Sequence, residues 1–200
     1  MLGYRRNSSM IRIITGAVLL VLLTLLSYSA YLAFSENAGP AGVIGGKFAL
    51  VDQNGRAVTD QSFHGHWLVI YFGYSRCPDE CPEALNHIAN ALAQIGDKRK
   101  QVVPIFITVD PARDTAKVLK DYVENFGPDF VGLTGSDAAI AGAEQAYHVY
   151  AAKHPEANGN YDMDHSSIIY IMDPTGRFAT NFTGDTDSNT IAARLKALVS

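Results

Sequence analysis

Two short apolar runs mark the centre of a predicted sheet. Residues 67–72 (WLVIYF) and 102–109 (VVPIFITV) are almost free of polar side chains, which is typical of strands buried on both faces. Between these runs, apolar residues recur at steps of three and four: Leu85, Ile88, Leu92 and Ile95. This spacing predicts an amphipathic helix over 78–95. A strand, a helix and a second buried strand in succession predict a parallel sheet covered by helices.

The rest of the pattern extends this α/β arrangement. Asn54-Gly55 separates two short apolar stretches and predicts a tight hairpin within 47–58. The polar, Gly- and Asn-rich stretch 154–164 predicts a long exposed loop. The other predicted elements are strands at 130–133 and 149–153, a hairpin of 166–173 and 177–182, and helices over 115–127, over 137–147 and from Ser188 onward. We therefore predict a thioredoxin-like α/β/α sandwich over residues 47–200.

A long uncharged stretch precedes the predicted domain. Residues 13–34 would span about 33 Å as a helix, which is enough for a hydrocarbon core of roughly 30 Å. The stretch is longer than the apolar part of a cleaved signal peptide, the alternative interpretation, so we predict an uncleaved transmembrane anchor. Three arginines precede it and no cation directly follows it. This asymmetry places residues 1–12 in the cytoplasm and the domain on the periplasmic, extracytoplasmic side of the inner membrane.

A Gly-, Ala- and Pro-rich linker, 35–46, would join the anchor to the domain. The charge of the chain is also uneven. The 16 basic and 20 acidic residues give a formal net charge of −4, but Arg5, Arg6 and Arg12 are the only charged residues before Glu36. The remainder therefore carries 13 basic and 20 acidic residues, a net charge of −7. An acidic domain argues against nucleic acid as a partner.

The two cysteines of the chain, Cys77 and Cys81, lie where the first central strand passes into the predicted helix. This is where α/β sheets place their chemistry, and a helix N-terminus favours thiolates. At i and i+4 on an ideal helix the two sulfurs would share one face, with Cα atoms about 6 Å apart. That separation allows a redox-active disulfide, a plain structural disulfide, or two ligands for one soft metal ion.

Among the six histidines, His165 lies in the most suggestive position. It ends the predicted loop and immediately precedes the strand predicted at 166–172, so it would be held at the mouth of a rigid element. Asp162 and Asp164 could orient its imidazole. A lone loop histidine is nevertheless the commoner interpretation of such a position. His87, six residues beyond Cys81, would point to a different side of the helix.

Four segments of the chain resemble one known family. YFGYSRCPDECP at 71–82, TVDPARDT at 108–115, DHSSIIYIMDPTGRF at 164–178 and FALVDQNGRAVTD at 48–60 are similar to motifs of the Sco/SenC (PrrC-like) family of membrane-anchored copper proteins. The resemblance implies a thioredoxin-like copper-binding domain that assists assembly of the dinuclear copper centre in cytochrome c oxidase subunit II. It also implies that the copper ligands are Cys77, Cys81 and His165. Arg76 and Glu80 depart from the usual motif without removing a ligand.

Chemistry agrees with the implied copper site. Two thiolates and one imidazole suit Cu(I), and the nitrogen donor also tolerates Cu(II). We therefore expect a copper chaperone that delivers copper by ligand exchange, with subunit II as the recipient and another periplasmic copper chaperone as a candidate donor. The alternative is a thiol–disulfide reductase that keeps the cysteines of the oxidase copper site reduced. A thiol peroxidase is a third hypothesis, but the chain has no evident peroxide-activating arginine beside a lone cysteine.

Overall fold

The computed structural model describes residues 8–35, 43–156 and 159–199. These residues fall into two compact units, of which one contains helix α1 (Ser8–Ser35) and the other begins near Val43. Helix α1 includes the stretch 13–34 for which the sequence predicts an anchor. Over the described part of the chain, no helix is both long enough and apolar enough to cross a membrane. Most of the predicted cytoplasmic segment 1–12 and linker 35–46 lies outside the described residues.

The second unit is built around one mixed sheet. Its seven strands are β1 (Ala49–Asp52), β2 (Ala57–Thr59), β3 (Trp67–Gly73), β4 (Val102–Thr108), β5 (Val131–Thr134), β8 (Ile168–Met172) and β9 (Phe178–Thr183). Their order is β2-β1-β5-β4-β3-β8-β9, with β3, β4 and β5 parallel and the other neighbours antiparallel. The helices are α2 (Glu80–Gln94), α3 (Ala116–Val123), α4 (Asp137–Tyr147) and α5 (Ser188–Leu198).

Successive side chains of a strand point to opposite faces of the sheet. Because β3 and β4 are apolar at nearly every position, both faces are covered by helices. Tyr71 of β3 and its register partner Phe106 of β4 share one face, where Phe106 packs on Tyr122 of α3. Phe72 points the other way and packs on Tyr147 of α4. The chain therefore forms the predicted α/β/α sandwich.

Two sequence-based predictions are wrong in detail. The helix predicted to begin at residue 78 begins at Glu80, since Asp79 has backbone angles (φ −130°, ψ −61°) outside the helical range. The exposed loop predicted over 154–164 is a hairpin of β6 (Ala151–Pro155) and β7 (Tyr161–His165), which pair with each other in a separate two-stranded sheet. We call β6 and β7 the histidine hairpin, because His165 is the last residue of β7.

The charged and Gly-rich composition of 154–164 hid this hairpin. The signal for a strand was nevertheless present, since Tyr161 and Met163 alternate with aspartates at the two-residue period of a strand. Met163 is accordingly buried, whereas Asp164 is exposed. The predicted hairpins at 47–58 and 166–182 are confirmed, with Gly55 and Gly176 at positive φ in their turns.

Candidate metal centre

Three elements bring Cys77, Cys81 and His165 together at the end of the central strand β3. Cys77 lies in the turn after β3, Cys81 is the second residue of α2, and His165 closes β7. One sulfur or nitrogen atom from each residue lies within 4.8 Å of the others. Cys81 is buried, and Cys77 and His165 are partly buried. The structure thus brings together the three residues that the family resemblance implies as ligands, and their closeness depends on the histidine hairpin.

Cys77 differs from the expected geometry because it precedes the helix. Its sulfur accepts a hydrogen bond from the backbone N–H of Cys81 at 3.3 Å, so Cys77 satisfies a free donor at the start of α2. Its own N–H donates to the Tyr74 carbonyl at 3.2 Å. Pro82 fits the first turn of α2, where a backbone N–H has no intrahelical acceptor. The two sulfurs therefore converge through a helix cap rather than along one helix face.

The two thiols have opposite electrostatic environments. Hydrogen bonding from the Cys81 side chain lowers the pKa of Cys77 to about 4, although partial burial opposes the shift. The same hydrogen bond and burial raise the pKa of Cys81. Of the two thiols, Cys77 therefore releases its proton more readily. Both cysteines are free rather than joined by a disulfide.

The imidazole of His165 is oriented by a backbone group. Its Nδ1 lies 3.2 Å from the Ser166 carbonyl, and because a carbonyl oxygen only accepts, Nδ1 must carry the hydrogen. In the neutral ring, Nε2 then presents its lone pair to the sulfurs, 3.4 Å from Cys81 Sγ. The expected orienting aspartates act elsewhere: Asp162 accepts from the Tyr74 hydroxyl, and Asp164 lies 3.9 Å from His154 Nδ1.

Aromatic rings enclose this imidazole. Tyr71 and Tyr74 meet the His165 ring edge-on, with centroids 6.1 and 5.7 Å away. Burial lowers the pKa of His165, but hydrogen bonding to Cys77 and to the Ser166 carbonyl outweighs it, so the net direction is upward. The rings of Tyr71 and Tyr74 restrict the orientations that the His165 imidazole can adopt.

Gly73, the last residue of β3, allows the sulfur of Cys81 to approach the sheet. A Cβ atom built on Gly73 would lie 2.6 Å from Cys81 Sγ and 3.0 Å from a ring carbon of Phe106. These distances leave no room for any other residue unless the site shifts. Gly73, which the sequence indicated only as the end of a strand, therefore shapes the metal centre.

Asp114 fastens the turn that carries Cys77. Its fully buried carboxylate accepts hydrogen bonds from the Ser75 N–H at 2.9 Å, the Ser75 hydroxyl at 2.5 Å and the Thr108 hydroxyl at 2.7 Å. The sequence shows Asp114 only within the TVDPARDT segment, because spacing along the chain does not reveal contacts between separate strands. The next residue, Thr115, caps helix α3.

The other histidines lie apart from this cluster. His87 Nε2 lies 3.7 Å from Glu83 on the surface of α2, as the helix geometry predicted. His148 ends α4 in the left-handed conformation at φ 56°. Within the described residues, only Cys77, Cys81 and His165 form a group of potential metal ligands with this spacing.

Comparison with protein families gives an independent result. The family model described as SCO1/SenC matches residues 36–200. A SCO2-like protein of Rickettsia prowazekii is 41% identical over 155 residues, which cover 76% of each chain.

Solved structures agree with this match. The structure of Bradyrhizobium japonicum ScoI with copper bound has 46% sequence identity and a TM-score of 0.72, covering 78% of this chain and 99% of that one. Arabidopsis thaliana ScoI with copper bound has 36% identity and a TM-score of 0.74, covering 78% and 98% of the two chains. The thioredoxin-like α/β class predicted from the sequence is therefore confirmed for the domain.

Proposed function

The chain belongs to the SCO1/SenC family, and from this membership we propose that it binds copper through Cys77 Sγ, Cys81 Sγ and His165 Nε2. One observation carries the proposal: the three donor atoms converge within 4.8 Å of one another at the end of the central strand. Two sulfurs and a nitrogen at this spacing form a soft, low-coordinate site that suits copper. The copper in the related ScoI structures supports the same conclusion.

Copper binding is proposed to release protons from the thiols. Because the pKa of Cys77 is lowered and that of Cys81 raised, the proton on Cys81 would be the harder one to displace. Two thiolates supply most of the affinity for Cu(I), whereas Cu(II) depends more strongly on the imidazole. The site is therefore proposed to hold Cu(I) mainly through the two sulfurs, with His165 needed more for Cu(II).

The copper is proposed to be cargo that is passed on by ligand exchange. Cys77 and His165 are partly exposed, whereas Cys81 is buried beneath them. Incoming thiolates or imidazoles of an acceptor would thus replace Cys77 and His165 first and Cys81 last. The proposed acceptor is the dinuclear copper centre of cytochrome c oxidase subunit II, and the proposed donor is another periplasmic copper chaperone.

The proposed location follows from the N-terminal stretch. Residues 13–34 are uncharged and follow three arginines, which supports a single-pass anchor in the inner membrane with the domain on the extracytoplasmic side. A tethered domain would meet an acceptor in the same membrane at a high effective concentration.

The asymmetry of the thiols favours a second function at the same site. A partly exposed thiolate of low pKa beside a buried thiol is the arrangement of a thiol–disulfide reductase. Cys77 would attack a disulfide of the acceptor, releasing one acceptor thiolate, and Cys81 would then displace the second acceptor sulfur. The products would be a Cys77–Cys81 disulfide and a reduced acceptor.

Transfer from the full chain, loaded with one equivalent of Cu(I), to a subunit II copper domain tests both functions. Copper delivery predicts that the metal moves to an acceptor whose cysteines are reduced, without oxidation of Cys77 or Cys81. Reductase activity predicts that the copper-free reduced chain converts an oxidised acceptor to thiols. Copper binding no stronger than that of a Cys77→Ser, Cys81→Ser double variant would contradict the proposed function.

A further inference from the structure

The histidine hairpin is held to the domain differently from the other strands. Its two strands pair with each other and, among the described residues, with no strand of the main sheet. At its base, the Ser166 N–H donates to the Tyr150 carbonyl at 2.9 Å. The position of His165 therefore depends on its two-residue connection to β8 and on contacts that attach the hairpin from the side.

Arg113 provides the densest group of these contacts. Its Nε donates to the Asp110 carboxylate, and its Nη1 donates to the Tyr161 carbonyl at 2.7 Å. Its guanidinium carbon lies 3.8 Å from the centroid of the Tyr161 ring. The Tyr161 hydroxyl in turn donates to Asp110 at 2.8 Å. Arg113, Asp110 and Tyr161 thus form a closed set of contacts between the end of β4 and the start of β7.

The same group touches the cysteine side of the site. Tyr74, which follows β3, donates its hydroxyl to Asp162 of β7 and meets the His165 ring edge-on. The Arg113 guanidinium carbon lies 5.9 Å from the Tyr74 ring centroid. Arg113 therefore lies between the turn that leads to Cys77 and the strand that ends at His165.

Burial makes these contacts stronger than surface contacts. The side chain of Arg113 is 11% exposed and that of Asp110 is 1% exposed, so solvent screens their ion pair only weakly. The planar guanidinium donates hydrogen bonds to a carboxylate and a carbonyl at the same time. A lysine ammonium lacks this fork-shaped arrangement of donors.

We propose that Arg113 is a positioning residue of the metal centre. With Asp110 and Tyr161 it holds the histidine hairpin against the end of β4, so that His165 Nε2 is already directed at the two sulfurs before metal arrives. The effect on copper rests on the proposed function, whereas the attachment of the hairpin does not. Loss of Arg113 should weaken the ligand carried by the hairpin and spare the two sulfurs, which are carried by the turn after β3 and by α2.

Variants of the full chain separate the roles within this group. Arg113→Gln removes the guanidinium, and Arg113→Lys keeps its charge without its planar fork. Because Arg113→Gln leaves Asp110 buried without its ion partner and could unfold the domain, Tyr161→Phe serves as a milder variant. It removes only the hydroxyl bond to Asp110. Arg177→Gln is the matched control, since Arg177 pairs with Asp173 at 3.7 Å in the turn of the other hairpin, β8–β9.

The first measurement is amide hydrogen exchange on the copper-free chain. We expect amides of 161–165 to exchange about fivefold faster in Tyr161→Phe, and faster still in Arg113→Gln and Arg113→Lys, with β3 unchanged. The second is competition titration with each copper oxidation state. We expect Cu(II) affinity to fall roughly 10-fold in the Arg113 variants and Cu(I) affinity to fall less than about twofold.

Two results would overturn the positioning role. Exchange at 161–165 equal to that of wild type in both Tyr161→Phe and Arg113→Lys would show that the group does not hold the hairpin. Faster exchange with equal losses of Cu(I) and Cu(II) affinity would show a structural role only. If wild type binds no copper, the proposed function fails, and the exchange data alone decide whether Arg113 holds the hairpin.

Discussion

The cysteine segment, residues 71–82, and the histidine hairpin contribute to one site but are held in different ways. The cysteine segment begins in β3, which pairs with β4 on one side and β8 on the other, and it ends in α2. The histidine hairpin lies outside that sheet and is attached by side-chain contacts around Arg113. Two of the proposed ligands thus belong to the core of the domain, and the third belongs to an attached element.

Because the two regions are held differently, substitutions in them should have different effects on copper binding. A change in the cysteine segment alters the soft donors and the packing of the central strand together. A change in the histidine hairpin alters mainly the nitrogen donor, and with it the preference between the two copper oxidation states. Four predictions test this contrast, from the largest expected effect to the smallest.

The largest effect is expected from the cysteines. Cys77→Ser or Cys81→Ser should lower Cu(I) affinity by more than about 100-fold, because loss of a ligand should exceed the effect of losing a supporting residue. Competition with a Cu(I) chelator measures this change. Serine preserves the size of the side chain, so the Tm of Cys77→Ser should stay close to that of wild type. A similar Cu(I) affinity in either variant would show that the cysteines are not the main donors.

The second prediction concerns the ligand of the hairpin. His165→Ala should lose roughly 10- to 100-fold in Cu(II) affinity and much less in Cu(I) affinity, because the harder ion depends on the imidazole. His87→Ala and His148→Asn are the controls, and asparagine suits the left-handed backbone at position 148. The contrast between the two regions fails if His165→Ala weakens both oxidation states equally.

The third prediction concerns space in the cysteine segment. Gly73→Ala should destabilise the domain by about 1–3 kcal/mol, because its Cβ would lie 2.6 Å from Cys81 Sγ. Urea unfolding measures the loss, and Cu(I) binding should weaken with it. Gly142→Ala is the control: apart from neighbouring α4 backbone, no atom lies within 4 Å of a Cβ there, so alanine should leave stability unchanged or raise it. Unchanged stability in Gly73→Ala would show that Cys81 has room to move.

The smallest effect is expected beside the histidine hairpin. Glu144 of α4 lines a cavity of about 220 Å³ together with Ala151, Lys153 and Met163 of the hairpin. Burial raises the pKa of Glu144 from its ordinary 4.5 to about 7. Between these values the folded chain holds a proton that the unfolded chain has released, so this residue's contribution to stability falls as the pH rises.

Glu144→Gln should therefore gain stability relative to wild type at pH 8 and show little difference at pH 5. Urea unfolding at the two pH values measures this, with the exposed Glu124→Gln as control. If the difference in stability between Glu144→Gln and wild type is the same at pH 5 and pH 8, the pKa of Glu144 is not raised by burial in the folded chain.

The sequence predicted the central elements because their signals are local. Continuous apolar runs identified β3 and β4, and a three- and four-residue spacing identified α2. Cys77 and Cys81 are four residues apart at the start of a helix, so their separation along the chain already predicted that their sulfurs could approach each other. Such patterns extend over only a few residues, so each element can be identified without knowing which strands lie beside it.

Tertiary structure decided how His165 reaches the sulfurs. It lies 84 residues beyond Cys81, and its position depends on a hairpin whose strand pattern was obscured by charged residues. The contacts of Arg113 with Tyr161, and of Asp114 with Ser75, join residues 48 and 39 positions apart. Local patterns do not specify which side chains will meet across such separations. The packing of β4 beside β3, and of the histidine hairpin against both, determines these contacts.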